Sequence, residues 1–100
     1  MKIIDAHLHL FSEDSAEEMA RQVGHHNSVD HLREVYGELH IVHGVVMGNH
    51  SLELRRHDYP TDLFHYCVGL DSSLLEDGSR VIPDLPDRVE AHLRRESCCG

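Results

Sequence analysis

The sequence predicts an α/β fold with a parallel sheet. Three observations carry that expectation. Strand-like runs at residues 2–10, 41–47 and 64–70 alternate with amphipathic stretches. The gaps between the runs are of helix length, which argues against hairpins and for right-handed crossovers. The middle run, IVHGVVM, is almost continuously apolar, as expected of a parallel strand covered on both faces.

Ile3 and Ile4 open the first strand, after which Asp5, His7 and His9 alternate with Ala6, Leu8 and Leu10 at a period of two. Both faces then carry apolar or functional groups, so an interior strand is expected. Residues 12–15 break the run, and Ser15 with Glu18 three residues later forms a capping box that opens a short helix to Val23, with Gly24 as its stop. Asn27 or Ser28 caps a second helix, where Val29, Leu32, Val35, Tyr36 and Leu39 make an apolar stripe. Gly48 and Asn49 end the second strand, residues 51–56 read as a short helix, and Tyr59-Pro60 punctuates the chain before the third strand. Asp71, Ser72 and Ser73 read as a loop. A last helix starts near Pro86, is capped by Asp84 and runs through Val89 and Leu93 to Arg95, where arginines suit the negative end of the helix dipole. A fourth strand begins as the sequence reaches Ser97–Gly100.

One hundred residues make one domain, 1–100, with 40% apolar and 27% charged residues, a globular composition. Eighteen acidic against nine basic residues give a net charge of −9, which repels nucleic-acid phosphates and anionic lipid headgroups. Neither is expected as a partner; a small-molecule substrate is. The N-terminus MKIIDAHLHLF lacks the apolar stretch and cleavage site of a signal peptide, and no window approaches the roughly 20 apolar residues of a spanning helix, so a cytoplasmic location is expected. Three cysteines, two of them adjacent at Cys98 and Cys99, form neither a disulfide framework nor a C-x-x-C zinc motif. Buried, reduced thiols are the expectation, with Cys67 packed in the core.

Eleven histidines stand against one lysine, Lys2. At that frequency roughly one H-x-H triplet arises by chance, so the pattern alone carries little weight. The placement of His7-Leu8-His9 carries more. Both imidazoles share a strand face at the C-terminal end of the first strand, where α/β folds hold ligands and catalytic groups, and together they could bind one divalent ion. Satisfied or solvent-facing histidines are the competing reading. His25-His26 reads as a polar surface turn, His40 and His43 straddle a helix end and a strand start, and His31, His57, His65 and His92 have no partner at a ligand spacing.

The opening IIDAHLHLF resembles the first strand of the amidohydrolase superfamily, metal-dependent hydrolases and decarboxylases on a distorted (β/α)8 barrel. GVVMGN at 44–49 and YPTDLFHYCVGLD at 59–71 resemble the second and third strands of the amidohydrolase-related branch. The resemblance implies that the chain is the N-terminal portion of such a TIM-type barrel: three βα units and the start of a fourth strand. It implies that His7 and His9 are metal ligands, for zinc or else manganese or another divalent ion, in a hydrolase whose activated water attacks an amide, ester or lactone carbonyl. Asp5, two residues before His7, either orients a histidine from behind or simply bonds backbone. Phe11, Asn49 and His50 follow strands and are candidates for substrate binding, with a solvent loop as the plainer reading of His50. The family's further ligands and its base come from later strands, and a full barrel takes about 250 residues, so this 100-residue piece is expected to be inactive alone. The alternatives are a decarboxylase of the same family, a barrel phosphoesterase, and a non-enzymatic α/β domain that associates, as a homo-oligomer, through open sheet edges.

Overall fold

The computed structural model describes residues 1–11, 15–48, 52–69 and 82–100. Strands β1 (Ile3–Leu8), β2 (Ile41–Val46) and β3 (Phe64–Tyr66) alternate with helices α1 (Ala16–Gln22), α2 (Val29–Leu39) and α3 (Leu85–Leu93), and a 3-10 turn covers Leu54–His57. The three strands form one parallel sheet in the order β1-β2-β3, so each strand lies beside its successor. Parallel neighbours of this kind require crossovers, and α1 with α2 supply the first.

Residues 97–100 continue the sheet on the outer side of β3. Tyr66 and Cys98 form a parallel bridge. Tyr66 N donates to Ser97 O at 2.9 Å, Cys99 N to Tyr66 O at 2.9 Å, and Val68 N to Gly100 O at 2.7 Å. A short paired segment thus lies where a fourth strand is expected to begin. β3 itself is shorter than the expected 64–70 run, although Cys67 N still bonds Val46 O at 2.9 Å; Leu70 and the expected 71–73 loop lie outside the described residues.

The core gathers on one face of the sheet. Leu10, Tyr36, Val46, Leu63, Phe64 and Tyr66 are buried together, with Leu8, Val29 and Leu32 packed against them. Gly44 makes this possible. A β-carbon there would stand 2.7 Å from both Leu8 Cδ2 and the Tyr36 hydroxyl and 3.1 Å from Phe64 Cδ1. The empty space lets α2 lay Tyr36 across β2, where its ring meets Phe64 edge-on with centroids 6.1 Å apart.

Local signals explain most element ends. The Ser28 hydroxyl caps α2 by accepting from His31 N at 3.3 Å. Gly24, at φ 78°, turns the chain after α1 in the left-handed region where glycine has no steric cost. Other expectations need correction. Ser15 makes no side-chain cap, so the capping box does not form, and Glu17 rather than Glu18 bonds out of that turn. Asp84 likewise caps nothing with its side chain and sits at φ 53°. Of the expected helix at 51–56 the described residues form only the 3-10 turn, and among the described residues β1 lies at the end of the sheet, with Ile4 62% exposed, where the sequence predicts an interior strand.

Two histidines that show no ligand spacing in sequence are buried structural groups. His92 is fully buried: its Nε2 is 3.0 Å from Leu52 O and its Nδ1 is 2.8 Å from the Tyr66 hydroxyl. A carbonyl only accepts, so Nε2 donates to Leu52 and Nδ1 faces Tyr66. His57 stacks on the Tyr66 ring, with centroids 4.7 Å apart, and meets His92 edge-on at 5.0 Å.

His92→Ala removes one partner from the Tyr66 hydroxyl and the side-chain donor from the Leu52 carbonyl and opens a cavity, so it should cost about 2–4 kcal/mol in urea denaturation. Gly44→Ala should cost about 1–3 kcal/mol by forcing Tyr36, Leu8 and Phe64 apart. An unchanged midpoint in either variant contradicts the packing described.

Candidate metal centre

The alternation expected of β1 puts Asp5, His7 and His9 on one face, and the register breaks it. Asp5 pairs with Gly44 and Leu8 with Val46, three steps along β1 against two along β2. Residues paired in a parallel ladder point to the same face, so this irregularity moves Asp5 to the side of Leu8 and Val46, toward α2. Tyr36 Oη donates to Asp5 Oδ2 at 2.8 Å, and the His7 backbone N–H donates to Asp5 Oδ1 at 3.3 Å. Of the two roles open to Asp5, the geometry is that of a carboxylate bonding backbone and a tyrosine, with no imidazole as partner among the described residues. Burial and the Asp5 carboxylate push the Tyr36 hydroxyl pKa well above the ordinary tyrosine range.

His7 and His9 remain together on the opposite, exposed side of the strand. Their Nε2 atoms are 3.3 Å apart, with ring planes at 74°. An ion about 2.0–2.1 Å from each of two imidazole nitrogens at a tetrahedral angle separates those nitrogens by about 3.3–3.4 Å. The pair therefore fits one edge of a zinc coordination shell. Without an ion, one Nε2 must carry a hydrogen toward the other; with an ion, both must be bare, which places the ring hydrogens on Nδ1. Among the described residues no group of three or more His, Cys, Asp or Glu comes together as a ligand set.

The segment after β1 is braced from three directions. Asn27 Oδ1 accepts from Phe11 N at 2.9 Å while Asn27 Nδ2 donates to Phe11 O at 2.8 Å. Asn27 N in turn donates to Glu17 Oε2 at 2.6 Å, and this bond, with His26 and Arg21 nearby, holds the Glu17 carboxyl below its ordinary range. Tyr59 Oη donates to Leu10 O at 3.2 Å. The Phe11 ring, 40% exposed, stacks on His9 at 6.4 Å between centroids. Of the residues expected to bind substrate, Phe11 is thus placed beside the histidine pair, whereas Asn49 and His50 lie outside the described residues. Asn27 and Tyr36 are the positioning residues that sequence reading missed. Asn27 stands next to Ser28, which alone caps α2, and a surplus capping residue was the available signal.

A second histidine pair emerges across strands. His43 Nε2 and His65 Nδ1 are 2.6 Å apart on β2 and β3, so His65 does have a partner. His65 also lines a cavity of about 250 Å³ with Thr61, Glu96 and Ser97. A larger groove of about 530 Å³ runs between the 3-10 turn and α3, lined by residues including Leu52, Arg55 and Arg88; neither cavity includes His7 or His9. Among the described residues no helix is long and apolar enough to cross a membrane. Comparison with known proteins finds no matching family model, no matching curated protein and no matching solved structure.

Desolvation, and then the neighbouring His65, hold His43 below its ordinary 6.5, with Asp62 opposing. The fold therefore favours neutral His43, and that contribution is present above pH 6.5 and is lost as pH falls through the depressed folded value. The lowered carboxylates, Glu17, Glu53 and Asp62, lose theirs only further down, below their ordinary 4.5 or 3.8. Urea midpoints should thus fall as the pH drops below about 6.5, and His43→Gln should flatten that slope. A slope unchanged by the substitution contradicts the assignment.

Proposed function

We propose that the chain belongs to a metal-dependent hydrolase of the amidohydrolase-related type, with His7 and His9 as two ligands of a divalent ion, zinc by preference. The observation that carries the proposal is the 3.3 Å separation of the two Nε2 atoms at the C-terminal end of β1. Sequential parallel strand order, helix α2 on one sheet face and a further paired segment beyond β3 support a barrel as the setting. The remaining ligands and the base would come from outside the described residues, since catalytic zinc ordinarily has three protein ligands. When bound, such an ion supplies Lewis-acid polarisation of a carbonyl and water activation. The chain's own residues hold the site. Tyr36 and Asp5 fix the irregular turn of β1 that aims both rings outward, and Asn27 clamps Phe11 against His9. Amide, ester and lactone carbonyls are the substrate class; carboxylates lost as carbon dioxide are the alternative within the same site.

A second reading is favoured by a separate observation. Among the described residues β1 is an edge strand, and Ile3 and Ile4 are 42% and 62% exposed. Unpaired parallel edges with apolar neighbours associate, so copies of the chain would pair through this edge.

Zinc titration of the 100-residue chain by calorimetry tests the first reading. One weak site should be weakened at least about tenfold by His7→Ala or His9→Ala and lost in the double variant, with the circular dichroism spectrum unchanged. Identical isotherms for wild type and double variant would overturn it, leaving association, read by sedimentation, as the activity to pursue.

A further inference from the structure

We infer that Cys67 and Cys99 are a reversible thiol–disulfide site that ties residues 97–100 to β3. All three cysteines are free thiols, and the Sγ atoms of Cys67 and Cys99 are 3.8 Å apart. The backbone puts them there. With Tyr66 bridged to Cys98, and Tyr66 O accepting from Cys99 N at 2.9 Å, Cys99 lies beside Cys67 in the parallel ladder. Neighbouring strands run about 4.8 Å apart, inside the Cα span of about 4.4–6.8 Å that a disulfide bridges.

The fold also chooses between the adjacent cysteines. Successive strand residues point to opposite faces. Cys98 packs against the core formed by Tyr66 and its neighbours, and its thiol donates to Gly100 O at 3.5 Å, whereas Cys99 turns to the Cys67 side. The same alternation disfavours a bond between Cys98 and Cys99 themselves. A metal ion would need further ligands, and no group of three forms among the described residues; a disulfide needs only the two sulfurs present.

The order of events follows from exposure. Cys99 is exposed and Cys67 half-buried, and burial with the neighbouring thiols pushes the Cys67 thiol up. A low-molecular-weight disulfide such as oxidised glutathione therefore meets Cys99 first. The Cys99 thiolate attacks one sulfur of that disulfide, forming a mixed disulfide and releasing one small thiolate. The Cys67 thiolate then attacks the Cys99 sulfur and releases the second. Two protein thiols lose two protons and two electrons, and one small disulfide takes them up as two small thiols. The bond closes the chain from Cys67 to Cys99 and holds a segment otherwise paired to β3 through its backbone.

The test is oxidation of the reduced chain with oxidised glutathione, read by intact mass and by tryptic mapping without reductant. The expected product is a monomer about 2 Da lighter with one free thiol, its tryptic peptides 57–80 and 96–100 joined, and reversed by dithiothreitol. Cys98→Ser should keep the link; Cys67→Ser and Cys99→Ser should lose it. In urea the preference for Cys99 over Cys98 should vanish. A Cys98–Cys99 bond, stable glutathione adducts, a disulfide-linked dimer, or the same preference in urea would each overturn the inference.

Discussion

Tyr36 reaches Asp5 only because two conditions hold at once. Gly44 leaves the surface of β2 bare, and β1 advances one residue more than β2 between Asp5 and Leu8. Remove the first and the hydroxyl of Tyr36 collides with a β-carbon; remove the second and Asp5 faces away from α2. The resulting hydrogen bond joins α2 to β1 across the bare surface of β2. It also decides the fate of the histidines, because the register shift that delivers Asp5 to the helix side leaves His7 and His9 on the exposed side with their Nε2 atoms 3.3 Å apart. Packing on one face thus shapes side-chain placement on the other. Such irregular strand positions commonly re-aim side chains near functional sites.

Much of the fold is legible in the amino-acid pattern. β-Branched runs announce the strands, the Val29–Leu39 stripe announces α2, and helix-length gaps announce parallel pairing. The start of a fourth strand at 97–100 follows from the same alternation. Edges and registers are less visible. The bulge in β1 has no local marker, since it follows from where Gly44 and Tyr36 sit, thirty and more residues downstream. Period-two reading therefore places His7 and His9 together correctly and places Asp5 with them wrongly. Ser15 and Glu18 have the spacing of a capping box, yet the neighbouring Glu17 bonds Asn27, a competing partner outside the helix.

Histidine-rich sequence is hard to sort because imidazole serves as core, surface or ligand with equal ease. Tertiary placement divides the described histidines by environment. His57 and His92 are buried against Tyr66, where an imidazole offers both a flat apolar face and two polar edges. His26 lies against His31 and Glu17 at the surface. His43 and His65, 22 residues apart, meet because β2 and β3 are in register, which no local spacing encodes. Among the described histidines, His7 and His9 alone combine exposure, convergent Nε2 atoms and a position at the C-terminal end of a parallel strand. The thiols divide the same way: adjacent in sequence, Cys98 and Cys99 fall on opposite faces, one to the core and one to Cys67.

The central claim is that the displaced register of β1 aims two imidazoles at one ion. Imidazole nitrogen resonances, followed by NMR during substoichiometric zinc addition, test it most directly. The account predicts that the Nε2 signals of His7 and His9 move together and first, while the Tyr36 hydroxyl and the His43 and His65 rings stay in place. Movement of only one of the two rings, or earlier movement at His43 and His65, would contradict it.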